Sequence, residues 1–189
     1  APGTTKRRCR NGGKEWFTEG APSLGLERTE SARVALWFDY DADQDLDLLL
    51  YNDKHSIVPT RLRLLRNDTT TFTDVSSAAG VYGAHFVANC GGLSAGDINN
   101  DGYLDFFVTP WAGTRLLYLN DGDGTFTNVT ASSGVGAISS LAWQSLWHDF
   151  NGDGWQDLYV AVDDDPNELW INQQNGTFVE SAAAAGLAN

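Results

Sequence analysis

The chain carries three acidic segments that follow one template. Each begins and ends with aspartate and has an oxygen-bearing side chain at its third and fifth positions. We call them loop 1 (residues 39–47), loop 2 (97–105) and loop 3 (149–157), and number the positions of each from 1 to 9. Successive loops lie 52 to 58 residues apart, a period typical of proteins in which each repeat is one small sheet stacked on its neighbours.

A second motif recurs between the acidic loops. It is an asparagine turn followed by a phenylalanine and a tail of small residues, and it begins at Asn67, Asn120 and Asn172. The same motif occurs once near the N-terminus, from Asn11 to Phe17, with no acidic loop before it. We therefore predict a single repeat domain over residues 1–189, with a half repeat at 5–26 and whole repeats at 34–80, 92–134 and 141–187.

Each whole repeat has the pattern of four strands. An apolar run enters the acidic loop, a β-branched or aromatic run leaves it, and two shorter runs follow across turns rich in Asn, Asp and Gly. In the half repeat we expect two strands, at residues 6–10 and 15–18. No segment has the length and periodicity of an amphipathic helix. The predicted fold class is all-β, with tandem four-stranded antiparallel blades of the β-propeller type.

The acidic loops indicate metal binding, because alternate side chains of a tight loop can converge on one hard cation. Oxygen ligands at positions 1, 3, 5 and 9, with a backbone carbonyl at position 7, favour calcium over magnesium and argue against zinc and copper. An EF-hand is excluded, because position 12 is Val108 in loop 2 and Val160 in loop 3, each inside a predicted strand. The alternative is a solvated acidic turn. The residues predicted to hold three Ca²⁺ ions are Asp39, Asp41, Asp43, Asp45 and Asp47; Asp97, Asn99, Asp101, Tyr103 and Asp105; and Asp149, Asn151, Asp153, Trp155 and Asp157.

Loop 1 departs from the template at position 6. Loops 2 and 3 have Gly102 and Gly154 there, where the sharp turn needs a positive φ. Loop 1 has Gln44 instead, a residue that seldom adopts that conformation. We therefore expect strain or altered geometry in loop 1.

With its repeats aligned, the chain resembles the FG-GAP/VCBS repeat family of calcium-binding β-propeller blades, in particular its ASPIC/UnbV-like, cartilage-acidic-protein-like branch. The resemblance lies in residues 37–41, 95–102 and 149–154 and in the tails 120–135 and 172–187. It implies a secreted or cell-surface protein that binds calcium in the inter-strand loop and serves adhesion or ligand recognition. Closed propellers of this family use about seven blades, more than the repeats of this chain can supply.

Charge narrows the choice of partners. The formal net charge is -13, which argues against nucleic acid, and no apolar run is long enough to span a membrane. Residues 1–33 carry a net +3 and the remainder -16, so we expect copies of the chain to associate head to tail into a filament or ring. One alternative is a carbohydrate- or receptor-binding module excised from a longer propeller, with a glycan or a cell-surface protein as its partner. Another is an N-terminal strand folded back on its own chain and tethered by a Cys9–Cys90 disulfide. The charges expected to meet are those of Lys6, Arg7, Arg8 and Arg10 and those of Asp163, Asp164 and Asp165.

No catalytic residues are predicted. Residues 92–96 match the G-x-S-x-G pattern, but that motif needs a strand-to-helix elbow and here it runs into a calcium-loop strand. We therefore expect a non-enzymatic, extracellular, structural or adhesive protein.

Two covalent modifications are predicted. Cys9 and Cys90 can form one disulfide in an oxidising compartment, and two buried thiols are the alternative. Sequons at Asn67, Asn128 and Asn175 predict a glycoprotein, provided that the host glycosylates asparagine.

Overall fold

A computed structural model describes residues 9–11, 17–26, 32–52, 62–81, 90–110, 114–137, 141–163 and 165–187. Within these residues the chain forms one two-stranded hairpin and three antiparallel four-stranded sheets, which we call blades 1, 2 and 3. In every blade the strands pair in the order of the sequence. The predicted all-β class and the four-stranded blades are confirmed, and the described sheets are not closed into a propeller.

The hairpin is formed by β1 (Cys9–Asn11) and β2 (Phe17–Glu19). Blade 1 contains β3 (Ala32–Phe38), β4 (Asp47–Asn52), β5 (Leu62–Asn67) and β6 (Phe72–Asp74). Blade 2 contains β7 (Cys90–Gly96), β8 (Asp105–Pro110), β9 (Leu116–Asn120) and β10 (Phe126–Asn128). Blade 3 contains β11 (Leu141–His148), β12 (Asp157–Asp163), β13 (Glu168–Asn172) and β14 (Phe178–Glu180). A helix of four residues, α1 (Thr130–Ser133), and 3-10 turns at Pro22–Leu24 and Val135–Ala137 complete the described elements.

A hairpin lies in the region predicted to be the half repeat. Its strands lie a few residues later in the chain than the predicted 6–10 and 15–18. The hairpin pairs Asn11 with Phe17, and whole repeats use the same register when they pair Asn67 with Phe72. The half repeat is therefore equivalent to the third and fourth strands of a blade.

Each blade is too thin to bury its own faces, so the core lies between blades. Strands β4 and β8 are buried along their whole length, as expected for strands covered on both sides. The half-repeat tail packs on blade 1 through Leu24 and Leu26, which meet Leu48 and Leu65. Two larger clusters join blade 1 to blade 2 and blade 2 to blade 3.

A tail glycine makes the same contact between successive units. Each of these glycines has a positive φ and lies against the backbone carbonyl of the phenylalanine that begins the next fourth strand. The units therefore stack with one polarity. The pairs are Gly25 with Phe72, Gly80 with Phe126, and Gly134 with Phe178.

In blades 2 and 3 a buried asparagine side chain links the blade to the acidic loop of the blade before it. Asn120 Nδ2 donates to the Tyr40 carbonyl in loop 1 at 2.7 Å and to the Leu104 carbonyl in loop 2 at 3.2 Å. Asn172 repeats this arrangement with the Ile98 carbonyl at 2.8 Å. One side chain thus connects two acidic loops that are distant in sequence.

A buried ion pair connects blade 2 to blade 3. Arg115 donates from both terminal nitrogens to the carboxylate of Glu168, with Nη2 at 2.7 Å from Oε1, and both side chains are buried. Glu168 also accepts the indole N–H of Trp170 at 2.8 Å. Removing one partner of such a pair leaves an uncompensated buried charge, at a cost of about 3–5 kcal/mol.

Some predictions fall outside the described part of the chain. These are Lys6, Arg7, Arg8 and Asp164, together with the side chain of Arg10 and the side chains of Cys9 and Cys90 that the disulfide prediction needs. Among the described residues, no helix has the length and hydropathy required to cross a membrane.

The asparagine link gives a stability prediction. Asn120→Ala leaves two backbone carbonyls without their donor, and we expect it to lower the free energy of unfolding by about 2–3 kcal/mol. Asn67→Ala is the matched control, because Asn67 Nδ2 donates to the Leu46 carbonyl of its own blade. We expect the control to cost less than about 1 kcal/mol in urea titrations. Equal costs for the two variants would contradict the inter-blade role.

Candidate metal centres

The acidic loops connect the first and second strands of each blade and share one hydrogen-bond pattern. In loop 1 the carboxylate at position 1, Asp39, accepts the backbone N–H of Asp43 at 3.1 Å and of Gln44 at 2.9 Å. The position 5 carboxylate, Asp43, in turn accepts the N–H of Asp45 at 2.8 Å. The corresponding acceptors in the other loops are Asp97 and Asp101 in loop 2 and Asp149 and Asp153 in loop 3.

Two left-handed residues give each loop its curvature. Position 6 has a φ of 74° at Gln44, 90° at Gly102 and 87° at Gly154. Loop 1 therefore keeps the backbone of the other two loops, and the expected strain remains because Gln44 is not a glycine. Position 4 is also left-handed, which the sequence analysis did not anticipate; its residues are Ala42, Asn100 and Gly152.

The aspartate at position 9 is fully buried in all three loops. In loop 2, Asp105 Oδ2 accepts the N–H of Ile98 at 2.8 Å, and its Oδ1 accepts the N–H of Asn120 at 2.7 Å. It thereby joins the start of the loop to the end of the third strand. Asp47 and Asp157 make the equivalent pairs of bonds.

Burial of these carboxylates is electrostatically unfavourable. It raises the pKa of Asp105 to about 7 and that of Asp47 to about 6, and the backbone donors offset only part of the effect. Neighbouring loop carboxylates raise both pKa values further. A divalent cation in the loop would reverse this effect by favouring the charged form.

The side chains of loop 1 fit a cation. Oxygen atoms of Asp39, Asp41 and Asp43 lie within 4.8 Å of one another. Asp41 Oδ1 is buried and has no hydrogen-bond partner, and burial followed by the charges of Asp43 and Asp39 raises the pKa of Asp41. A buried carboxylate oxygen without a donor, beside two more carboxylates, has the chemistry that a hard cation requires of a ligand.

Loops 2 and 3 have an asparagine at position 3 in place of the aspartate of loop 1. Its side-chain amide bonds to the carboxylate at position 5. Asn99 Nδ2 donates to Asp101 Oδ2 at 2.8 Å, and Asn151 Nδ2 donates to Asp153 Oδ2 at 3.0 Å. Positions 1, 3 and 5 are therefore brought together in every loop. The carbonyls of Asp45, Tyr103 and Trp155 and the position 9 carboxylates stay predicted ligands.

One group of residues at these centres was not predicted from the sequence. Asn120 and Asn172 were interpreted only as the start of a turn, whereas they bond to the loop of the preceding blade. Their recurrence at one repeat position was the available signal. Loops 2 and 3 also meet directly, because Asn100 Nδ2 donates to the Gly154 carbonyl at 3.1 Å.

The sequon asparagines have different surroundings. Asn128 and Asn175 are exposed, whereas Asn67 is half-buried and its amide nitrogen already donates to the Leu46 carbonyl. Glycosylation of all three stays a prediction. At Asn67 a glycan on the amide nitrogen would compete with the existing hydrogen bond to the Leu46 carbonyl.

The G-x-S-x-G pattern lies within strand β7. Its serine, Ser94, is buried and its Oγ is 2.7 Å from the Oγ of Ser145 in blade 3. In this setting the serine connects two blades.

Comparison with known proteins agrees with the repeat structure. Two relatives are both named Cartilage acidic protein 1. The protein of Xenopus tropicalis is 29% identical over 97 residues, which cover 51% of this chain and 15% of the relative. The protein of Mus musculus is 28% identical over 148 residues, which cover 77% of this chain and 22% of the relative. The chain thus spans less than a quarter of the length of either relative.

A family model gives the wider match. The model described as FG-GAP-like repeat matches residues 39–108, 97–147 and 149–189, and each match begins at position 1 of an acidic loop. These segments cover most of the chain. The chain therefore belongs to the FG-GAP-like repeat family.

Proposed function

We propose that this chain is an extracellular, non-enzymatic calcium-binding repeat protein with a structural or adhesive role, whose copies associate head to tail. The observation that carries the proposal is the unpartnered, buried Asp41 Oδ1 inside a cluster of three carboxylates. The same backbone recurs in loops 2 and 3, so one ion per loop is proposed. The extracellular location is inferred from relatives whose printed name refers to cartilage.

Calcium suits these loops better than other cations. Their side-chain ligands are oxygens, and the ligand set includes carboxylates, amides and carbonyls, which fit the flexible coordination of calcium. Magnesium requires a near-ideal octahedron and gives up its water reluctantly. Three calcium ions would add +6 to a chain with a formal net charge of -13 and reduce its self-repulsion.

The loops are positioned so that ion binding would stabilise the whole stack. Position 9 aspartates hold the loop to the third strand, and the asparagine that ends that strand bonds to the preceding loop. A cation that orders one loop therefore orders a contact of two blades. We propose that calcium serves as a structural ion in this protein.

Head-to-tail association is supported by charge. Residues 1–33 carry a net +3, whereas the remainder carries -16. Asp163 ends the second strand of blade 3, and Asp165 lies two residues further along the chain. Unlike ends that attract each other form a heterologous contact, which extends into a filament or closes into a ring.

The first test is calcium removal. We expect elemental analysis to find three calcium ions per chain, and excess EDTA to lower the melting temperature by at least about 5 °C. A single site at a hundredfold excess of ligand contributes about 2.7 kcal/mol of stability, which supports a shift of this size. Readdition of calcium should restore the melting temperature, and readdition of magnesium should restore it only in part. An unchanged melting temperature in EDTA, or at most one calcium ion per chain, would contradict the proposal.

A second test isolates one loop. Gly154→Val strains position 6 of loop 3 and should remove one calcium ion per chain while leaving the other two. Gly176→Val is the matched control, because Gly176 has a φ of 83° against 87° for Gly154 and both sites have open space for a side chain. Each variant should lose about 1–3 kcal/mol through backbone strain. If the calcium content is the same in both, position 6 does not shape the site.

A further inference from the structure

We propose that Asn175 is a site of spontaneous deamidation in the folded protein, with water as the co-reactant. The chain contains three Asn-Gly pairs, at residues 11–12, 151–152 and 175–176. The first lies partly outside the described residues, so the other two can be compared. Both are exposed, and they differ in their hydrogen bonds. Neither calcium binding nor self-association is needed for the reaction.

Deamidation depends on three groups of an Asn-Gly pair. The backbone nitrogen of the glycine loses its proton to solvent base and attacks Cγ of the asparagine, forming an N–Cγ bond. The Cγ–Nδ2 bond then breaks, and Nδ2 takes a proton from water and leaves as ammonia. One water molecule opens the resulting cyclic imide at either carbonyl, which gives aspartate or isoaspartate. Glycine favours the attack, because it has no side chain to obstruct the approach.

Both nitrogens that react are accessible in the pair at 175–176. Asn175 and Gly176 are exposed in the turn between β13 and β14. Across the residues that the structure describes, no group accepts a hydrogen bond from the Gly176 N–H or from Asn175 Nδ2. No protein hydrogen bond therefore has to break before the glycine nitrogen attacks or the amide nitrogen leaves.

The side-chain carbonyl of Asn175 is activated by its neighbour. Asn175 Oδ1 accepts the backbone N–H of Thr177 at 3.0 Å and the hydroxyl of Thr177 at 2.7 Å. Negative charge develops on this oxygen as Gly176 attacks, and donors already placed at a developing oxyanion lower the barrier. The turn thus supplies two donors to the atom that becomes charged.

The Asn-Gly pair of loop 3 is a matched comparison. Its residues are also exposed, and Gly152 has a φ of 76° against 83° for Gly176. In loop 3, however, the Gly152 N–H donates to Asp149 Oδ1 at 2.7 Å. Asn151 Nδ2 donates to Asp153 Oδ2 at 3.0 Å. The attacking and the leaving nitrogen are both held, so we expect this pair to be protected.

Deamidation changes both the charge and the length of this turn. It adds one negative charge to a chain with a formal net charge of -13, and it removes the sequon, so that a glycan on Nδ2 and deamidation exclude each other. Isoaspartate also adds one carbon to the main chain, within a turn that the Gln173 N–H closes on the Thr177 carbonyl at 2.9 Å. Gln174 Nε2 donates to Asp153 Oδ2 at 3.2 Å, so the modified turn adjoins loop 3.

Peptide mapping by mass spectrometry tests the inference. The 189-residue chain, produced without glycosylation, is incubated in calcium buffer at mildly alkaline pH and digested at acidic pH, where deamidation is slow. Asn175 should deamidate at least about tenfold faster than Asn151, because the bond from Gly152 to Asp149 must break before attack. The chain unfolded in guanidinium chloride is the control, and there the two rates should agree within about threefold.

A variant separates activation of the carbonyl from exposure. Thr177→Ala removes the hydroxyl donor and keeps the backbone donor, so Asn175 should deamidate about fivefold more slowly. Thr125→Ala is the matched control: in blade 2, Thr125 makes the same two bonds to Asp123, and its removal should leave the rate at Asn175 unchanged. An unchanged or faster rate in Thr177→Ala would overturn the activation by Thr177. Equal rates at Asn151 and Asn175 in the folded chain would overturn the whole inference.

Discussion

A buried aspartate closes each acidic loop and holds it to the rest of its blade. Asp105 accepts one backbone N–H from the start of loop 2 and another from Asn120, and Asp47 and Asp157 do the same in their blades. A fully buried carboxylate is unfavourable unless donors or positive charge compensate it. Two backbone donors supply part of the compensation, and the proposed cation would supply the remainder.

The same arrangement carries order from one blade to the next. Asn120 donates its backbone N–H to the aspartate of its own blade and its side-chain amide to the loop of the preceding blade. The loop, the third strand and the neighbouring loop therefore form one connected unit. In stacked repeats, stability depends on such contacts between neighbours as well as on each repeat alone. Calcium bound in one loop is expected to stabilise the adjacent blade as well.

Periodicity was enough to predict the blades, because the acidic loops and the asparagine motif recur at one spacing. The positive φ at position 6 also followed from Gly102 and Gly154. The recurrence of the asparagine marks the residue but not its partner, since the bond from Asn172 to Ile98 joins residues that only the stacking brings together. The ion pair of Arg115 with Glu168 could not be predicted for a different reason. It occurs at one interface between blades, so no repeat pattern in the sequence indicates it.

The central claim is that the loops are calcium sites formed by the fold itself. A crystal structure of the chain grown with calcium, with an anomalous difference map, tests this directly. We predict one peak in each loop, with oxygens of positions 1, 3 and 5 at about 2.3–2.6 Å from the ion. Loops that are ordered but without peaks, or peaks confined to other parts of the surface, would contradict the account.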